Sequence, residues 1–281
     1  MHYMKKIIST LLFSGFCLLH AYAQQLTTPA PSPPQFVKQD FGLSFIELSY
    51  SRPALKGRAI FGDLVPFGKV WRTGANGATT LNFGDEVTIG GKKIPAGKYG
   101  LLTIPGPKEW IIIITKQLDV TNPAAYKAEE DLVRVTVSSR ALVQPVESFS
   151  INFQNLTAAS CDLEFSWDKV SVSLPIQTDV DPKIMASIEN AMNKDSRPYY
   201  QAAAYYMENG KDLNKALEWF NKATEQNPDA FFMFYQKARC LAKLGRKQDA
   251  ITTAQQSIVL AKKANNSDYV TLNEKLIASL K

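Results

Sequence analysis

The stretch KVSVSLPIQTDVDPKIMASIENAMNKD, residues 169 to 195, changes its period part-way along. Up to Ile176 apolar and polar residues alternate, the two-residue period of a strand with one buried face. From Asp181 onward apolar residues recur every three or four positions, the period of a helix. Asp181 reads as a helix N-cap and Pro182 as the first helical residue, where its missing N–H is harmless. A β-domain over 36–180 is therefore expected to precede a helical domain over 181–281.

Upstream of this junction, Gly, Pro and Asn punctuate short β-branched and aromatic runs. The predicted strands cover 43–50, 78–83, 86–90, 98–105, 109–116, 132–138, 148–156, 160–167 and 169–176. Val133, Val135 and Val137 alternate with Arg134 and Thr136, and Phe149, Ile151 and Phe153 alternate with Ser150 and Asn152. Half-buried strands without helical crossovers predict an antiparallel β-sandwich or open barrel. GPKE (106–109) and WDK (167–169) read as hairpin turns, and NPAAYKAEED (122–131) as a helical turn inserted in the sheet.

Downstream, GKDLNKALEWFNKATEQNP (210–228) and GRKQDAITTAQQSIVLA (245–261) align with a spacing of 34 residues. Ala216 then matches Ala250, Phe220 matches Ala254 and Ala223 matches Ser257. Tyr199, Ala202, Ala203 and Tyr206 match Phe234, Lys237, Ala238 and Leu241 once one insertion after Gly210 is allowed. Small residues where helices cross, a Gly between helices and Pro228 at the end resemble the tetratricopeptide repeat. Two such units need covering at their ends. A final helix over 268–280 caps one, and the helix at 182–194 or the β-domain covers the other. Stacked units of this kind form a groove for another protein, and Tyr199, Tyr206, Phe234 and Lys237 are its expected lining.

The first residues, MHYMKKIISTLLFSGFCLLHAYAQQ, place Lys5 and Lys6 before an apolar run and the Ala21-Tyr22-Ala23 tripeptide. This is the pattern of a secretory signal peptide over 1–23, with cleavage expected before Gln24. A Pro-rich spacer follows at 24–35. Cleavage removes both histidines, His2 and His20, and leaves 258 residues of net charge +4. Such a chain has no Ser-His-Asp or Cys-His nucleophile and no His-ligated metal site, so no cofactor and no metal centre are expected. Cys161 and Cys240 are expected as buried free thiols, since they fall in different domains. The helical segment carries 15 basic and 11 acidic residues, too slight an excess for a nucleic-acid partner. No transmembrane segment is expected after cleavage, and the mature protein is placed in the periplasm or outside the cell.

Within the β-domain, GKVWRTGANGATT (68–80) concentrates glycine, cations and one tryptophan. It precedes a strand rather than a helix, and GRAIFGDL (57–64) has Asp63 where a phosphate loop needs Lys. A nucleotide cradle is excluded. Arg52, Arg58, Lys69, Trp71, Arg72, Thr73 and Asn76 can form a rim for a small carboxylate or a sugar, since Arg offers a planar fork and Trp a stacking face. They can equally hold loops together. The compound signature SRPALKGRAIFGDLVPFGKVWRTGANGATTLNF (51–83) with KKIPAGKYGLLTIPGPKEWIIIITK (92–116) resembles the domain of unknown function 2911 family, an exported bacterial domain. That resemblance implies no established activity. The chain departs from the pattern at Gly77, where the family is expected to carry Glu.

Two functional readings stand side by side. One is a non-catalytic envelope protein that binds another envelope protein through its repeats and uses the sandwich as scaffold or ligand module. The other is a carbohydrate-binding or histidine-free carbohydrate-active protein that uses the Trp71/Arg72 region. Asp63, Asp85, Glu86 and Glu109 are the loop carboxylates available to the second.

Overall fold

The computed structural model describes residues 28–193 and 197–281. The signal-peptide reading and both histidines lie outside them. The chain separates into two compact units, one ending at Thr178 and the other starting at Asp179.

Among its described residues the first unit has ten strands: β1 (Pro34–Phe41), β2 (Ser44–Ser51), β3 (Thr80–Phe83), β4 (Val87–Ile89), β5 (Lys92–Ile94), β6 (Gly97–Pro105), β7 (Glu109–Thr115), β8 (Asp131–Ser138), β9 (Arg140–Gln154) and β10 (Ser160–Gln177). They form a six-stranded sheet ordered β1-β2-β3-β6-β7-β8 and a four-stranded sheet ordered β5-β4-β10-β9. All pairings within the two sheets are antiparallel. The two sheets share one core, with Ile46, Leu81, Leu101, Ile112 and Ile114 facing Phe149, Ile151, Leu163, Phe165 and Leu174. This is the sandwich form of the expected fold, with no closed barrel.

The alternating segments behave as their period requires. Val133, Val135 and Val137 pack against the core while Arg134 and Thr136 are exposed. The unbroken run Ile111–Ile114 on β7 has a different cause. Ile112 and Ile114 enter the main core, whereas Ile113 packs on the opposite face with Leu102 and Val120. That outer face is covered by the segment between β7 and β8, which contains the two short 3-10 turns Pro123–Ala125 and Ala128–Glu130.

Three expectations are corrected. WDK is not a hairpin: β10 runs through it, with register shifts on either side of Asp168, whose φ is 50°. A β-bulge there turns Trp167 into the core without ending the strand. Asp181 is not an N-cap, because the first helix starts on it and Val180 occupies the cap position. Strands β1 and β5 and the first half of β9 were not expected. Pro34 opens β1 at an edge, where a missing donor breaks no ladder, and Pro145 lies in the exposed part of β9.

The second unit holds α1 (Asp181–Met192), α2 (Tyr199–Glu208), α3 (Leu213–Gln226), α4 (Phe231–Lys243), α5 (Lys247–Lys263) and α6 (Ser267–Leu280). The matched positions occupy matched environments. Ala203 and Ala238 are fully buried, as are Ala216 and Ala250, and Phe220 and Ala254. Gly210 and Gly245 end α2 and α4 with φ of 67° and 77°, the left-handed conformation that lets each helix reverse into its partner. Ser257, replacing Ala223, satisfies its hydroxyl by donating to the Phe231 carbonyl at 2.7 Å and accepting from the Asn273 amide at 2.9 Å. The segment is tetratricopeptide-like: two helical hairpins, with α6 closing one end and Ile188 and Met192 of α1 packed onto the core of the first.

Candidate functional site

The loop from Ser51 to Thr79 is anchored before it can present anything. Arg52 donates through Nε to the Phe149 carbonyl at 3.0 Å and through Nη2 to Ser150 Oγ at 2.7 Å, tying the loop to β9. Trp71 pairs with Thr103 across a β-bridge, with N···O distances of 2.7 and 3.0 Å. Thr73 is fully buried, and its hydroxyl bonds to Thr103 Oγ1 at 3.1 Å. Its φ of 59° is strained for a β-branched residue, and the surrounding bonds hold it there. The Thr79 hydroxyl adds a 2.7 Å bond to the Thr73 carbonyl. Asn76, with φ 57°, donates to the Ser32 carbonyl at 3.1 Å.

Trp71 is half-buried in an aromatic cluster. It lies nearly parallel to Trp167, with centroids 5.9 Å apart, and meets Phe149 edge-on at 4.9 Å. Its indole N–H donates to the Gly74 carbonyl at 3.2 Å. Phe61 bridges Trp71, Trp110 and Trp167 with edge contacts. Arg72, next to the strained Thr73, donates through Nη1 to the Thr121 carbonyl.

Four of the seven expected rim residues, Arg58, Lys69, Trp71 and Arg72, meet in one cleft of about 370 Å³. Arg52, Thr73 and Asn76 do not line it and serve the loop's own hydrogen bonding. Trp167 and Pro123 supply further walls. Neither was legible as a site residue, because Trp167 reads as core and Pro123 as a turn. No acidic residue lines the cleft. Asp63 and Glu109 are exposed, Glu86 pairs with Lys93 at 2.8 Å, and the Asp85 carboxylate accepts from the Glu86 N–H. Among the described residues no cluster of three metal-ligating side chains occurs. Cys161 and Cys240 are buried and unpaired, and burial pushes their thiols up to about 12 and about 11.

On the helical unit two of the four expected lining residues lie in the core and two are half-buried. Tyr199 and Phe234 are in the core, 8% and 6% exposed, and Tyr206 packs edge-on against Trp219 at 4.7 Å. Lys237 is half-buried, and desolvation lowers its pKa while Glu225 opposes the shift. A belt of half-buried tyrosines lies one position further along two of those helices. Tyr200, Tyr235 and Tyr269 are half-buried on α2, α4 and α6, at intervals of 35 and 34 residues. Tyr235 meets Tyr269 at 5.5 Å, Phe231 meets Tyr269 at 5.0 Å, and Tyr200 meets Phe232 at 5.4 Å. Arg239 sits over the Tyr235 ring at 5.9 Å and pairs with Glu208 at 2.9 Å. The repeat spacing itself was the signal for this belt.

Comparison with known proteins divides the chain along the same line. Residues 184–257 match the family described as anaphase-promoting complex, cyclosome, subunit 3. An uncharacterized protein of Methanocaldococcus jannaschii is 34% identical over 77 residues, 27% of this chain and 90% of the relative. Two structures of a tetratricopeptide repeat domain protein from Salinibacter ruber, one crystal and one solution NMR, are 22% identical. They align with 29% of this chain and with 91% and 81% of their own, at a TM-score of 0.27. Residues 32–176 match the family described as protein of unknown function, DUF2911. Because that match takes in more than half of the chain, including both sheets and every residue of the cleft, this protein belongs to the DUF2911 family.

Proposed function

We propose that this is an exported, non-catalytic envelope protein whose helical repeats hold a partner protein and whose sandwich is a small-ligand module. The observation that carries the first half is the tyrosine belt at repeat spacing, backed by the Arg239–Glu208 pair. Aromatic and arginine side chains, here in contact with one another through ring packing and an ion pair, are the residues enriched at protein interfaces and their hot spots. Among the described residues no helix is long and apolar enough to cross a membrane. Export rests on the signal-peptide pattern of residues 1–23, and native protein is expected to begin at Gln24 on N-terminal sequencing.

The test uses the full-length chain. A partner captured from envelope extract by the wild type is expected to be lost with Tyr235→Ala and Arg239→Ala and retained with Lys69→Gln. Equal recovery by all variants refutes the role of the repeats.

The alternative assigns the cleft to a carbohydrate. Trp71 on its wall favours sugar binding over sugar hydrolysis, because none of Asp63, Asp85, Glu86 and Glu109 lines the cleft and a glycosidase needs two facing carboxyls.

A further inference from the structure

We infer that the Trp71 cleft is a binding site for a small organic carboxylate carried on an apolar body. The inference rests on the reading of the sandwich as a ligand module and is independent of the repeats.

Three features of the cleft converge on that class. Its walls are mainly apolar, from Leu64, Pro66, Val70, Trp71, Pro123 and Trp167. A volume of about 370 Å³ lies in the range of small-molecule sites. Its polar side chains are dominated by Arg58, Lys69 and Arg72, and among the described residues none of these three is ion-paired with a carboxylate. A cleft with uncompensated cations and no acid attracts an anion.

Arg72 narrows the choice. Its Nη1 is committed to the Thr121 carbonyl, while its Nε is buried and has no hydrogen-bond partner among the described residues. A buried donor without an acceptor is costly, and the Nε–Nη2 edge of a guanidinium is a fork that a carboxylate accepts with both oxygens. The strained, fully buried Thr73 fixes the backbone beside Arg72, and the Thr121 carbonyl holds the guanidinium at Nη1. Arg58 is held by its own loop, donating to the Leu55 and Ala54 carbonyls at 3.1 and 2.5 Å. Lys69 is exposed at the rim and supplies a second charge. Inorganic phosphate fits the charge but leaves the tryptophan and proline walls unfilled. A neutral sugar fits the walls but leaves the cations and the Arg72 donor unanswered.

The experiment is calorimetric titration of the full-length protein, with intrinsic tryptophan fluorescence as a second readout. The probes are aromatic and C4–C8 linear monocarboxylates, their matched primary amides, inorganic phosphate and neutral disaccharides. At least one acid is expected to bind about tenfold or more tightly than its amide, with a change in tryptophan emission. Arg72→Gln is expected to weaken that acid by about tenfold or more without changing its amide, and Arg72→Lys to restore it only partly, because a point charge replaces a fork. Since Arg72 also ties the Thr121 loop, Lys69→Gln serves as a variant with no structural bond to lose, and it is expected to weaken acid binding by a smaller factor that disappears at high salt. Acids that bind no better than their amides, or acid affinity unchanged in both variants, overturn the inference. Phosphate binding as tightly as the best acid overturns the apolar-body part. Disaccharide binding without acid binding overturns the inference and leaves the ligand-module reading standing.

Discussion

Trp71 illustrates how one side chain serves both packing and a cleft wall. One face lies along Trp167, its edge meets Phe149, and its N–H is satisfied by Gly74. Trp71→Ala is expected to destabilise the sandwich by about 3 kcal/mol in urea unfolding, at the low end for a core aromatic because the ring is only half-buried. Trp71→Phe should recover most of that loss, since the ring contacts persist and only the bond to Gly74 goes. The chemistry around residue 71 was legible in the sequence as a choice between loop support and ligand rim. In the structure Arg52, Thr73 and Asn76 support loops without lining the cleft, Lys69 lines the cleft, and Arg58 and Arg72 do both. Pattern alone could not make that division, because it depends on which carbonyls lie within reach, and those belong to Phe149, Thr121 and Ser32, all distant in the chain.

At the scale of the elements, the glycine turns and the first helix carry separate expectations. A Cβ built at Gly210 or Gly245 meets nothing within 4 Å, so substitution there is opposed by backbone conformation alone. Gly210→Ala is expected to cost about 1 kcal/mol in the thermal or urea unfolding of the helical unit, and Gly245→Ala about the same. Asp181 links α1 to the following hairpin: its carboxylate accepts from the Lys211 ammonium and the Tyr205 hydroxyl, both at 2.6 Å. Those bonds hold its carboxyl below the usual carboxylate range, although partial burial works against them. Burial and the neighbouring carboxylate push the Tyr205 hydroxyl up to about 12, so it remains a donor at neutral pH. Because the folded pKa lies below the unfolded one, this contribution is complete above about pH 4 and lost as pH falls through the folded value. Thermal scans should show the helical unit weakening in acid, with a smaller acid dependence in Asp181→Asn. Element types were largely readable from period alone, as in Val133–Val137 and in the repeat positions Ala203/Ala238 and Ala216/Ala250. Two kinds of detail were not. A bulge at Asp168 looks like a turn because both use a polar residue at positive φ, and period alone does not say which of two adjacent aromatics is the more exposed, as at Tyr199-Tyr200 and Phe234-Tyr235.

Across the whole molecule, two units with separate cores carry two different kinds of surface. The sandwich has a cation-lined cleft without acids, and the helical unit has an aromatic belt repeating with its helices. The central claim is that the belt on α2, α4 and α6 is where a partner protein rests. Hydrogen–deuterium exchange of the full-length protein, alone and with the captured partner, tests it most directly. Protection concentrated on residues 199–208, 231–243 and 267–280, with the outer helices α3 and α5 unchanged, is the predicted result. Protection confined to the sandwich, or spread evenly over α3 and α5, contradicts it.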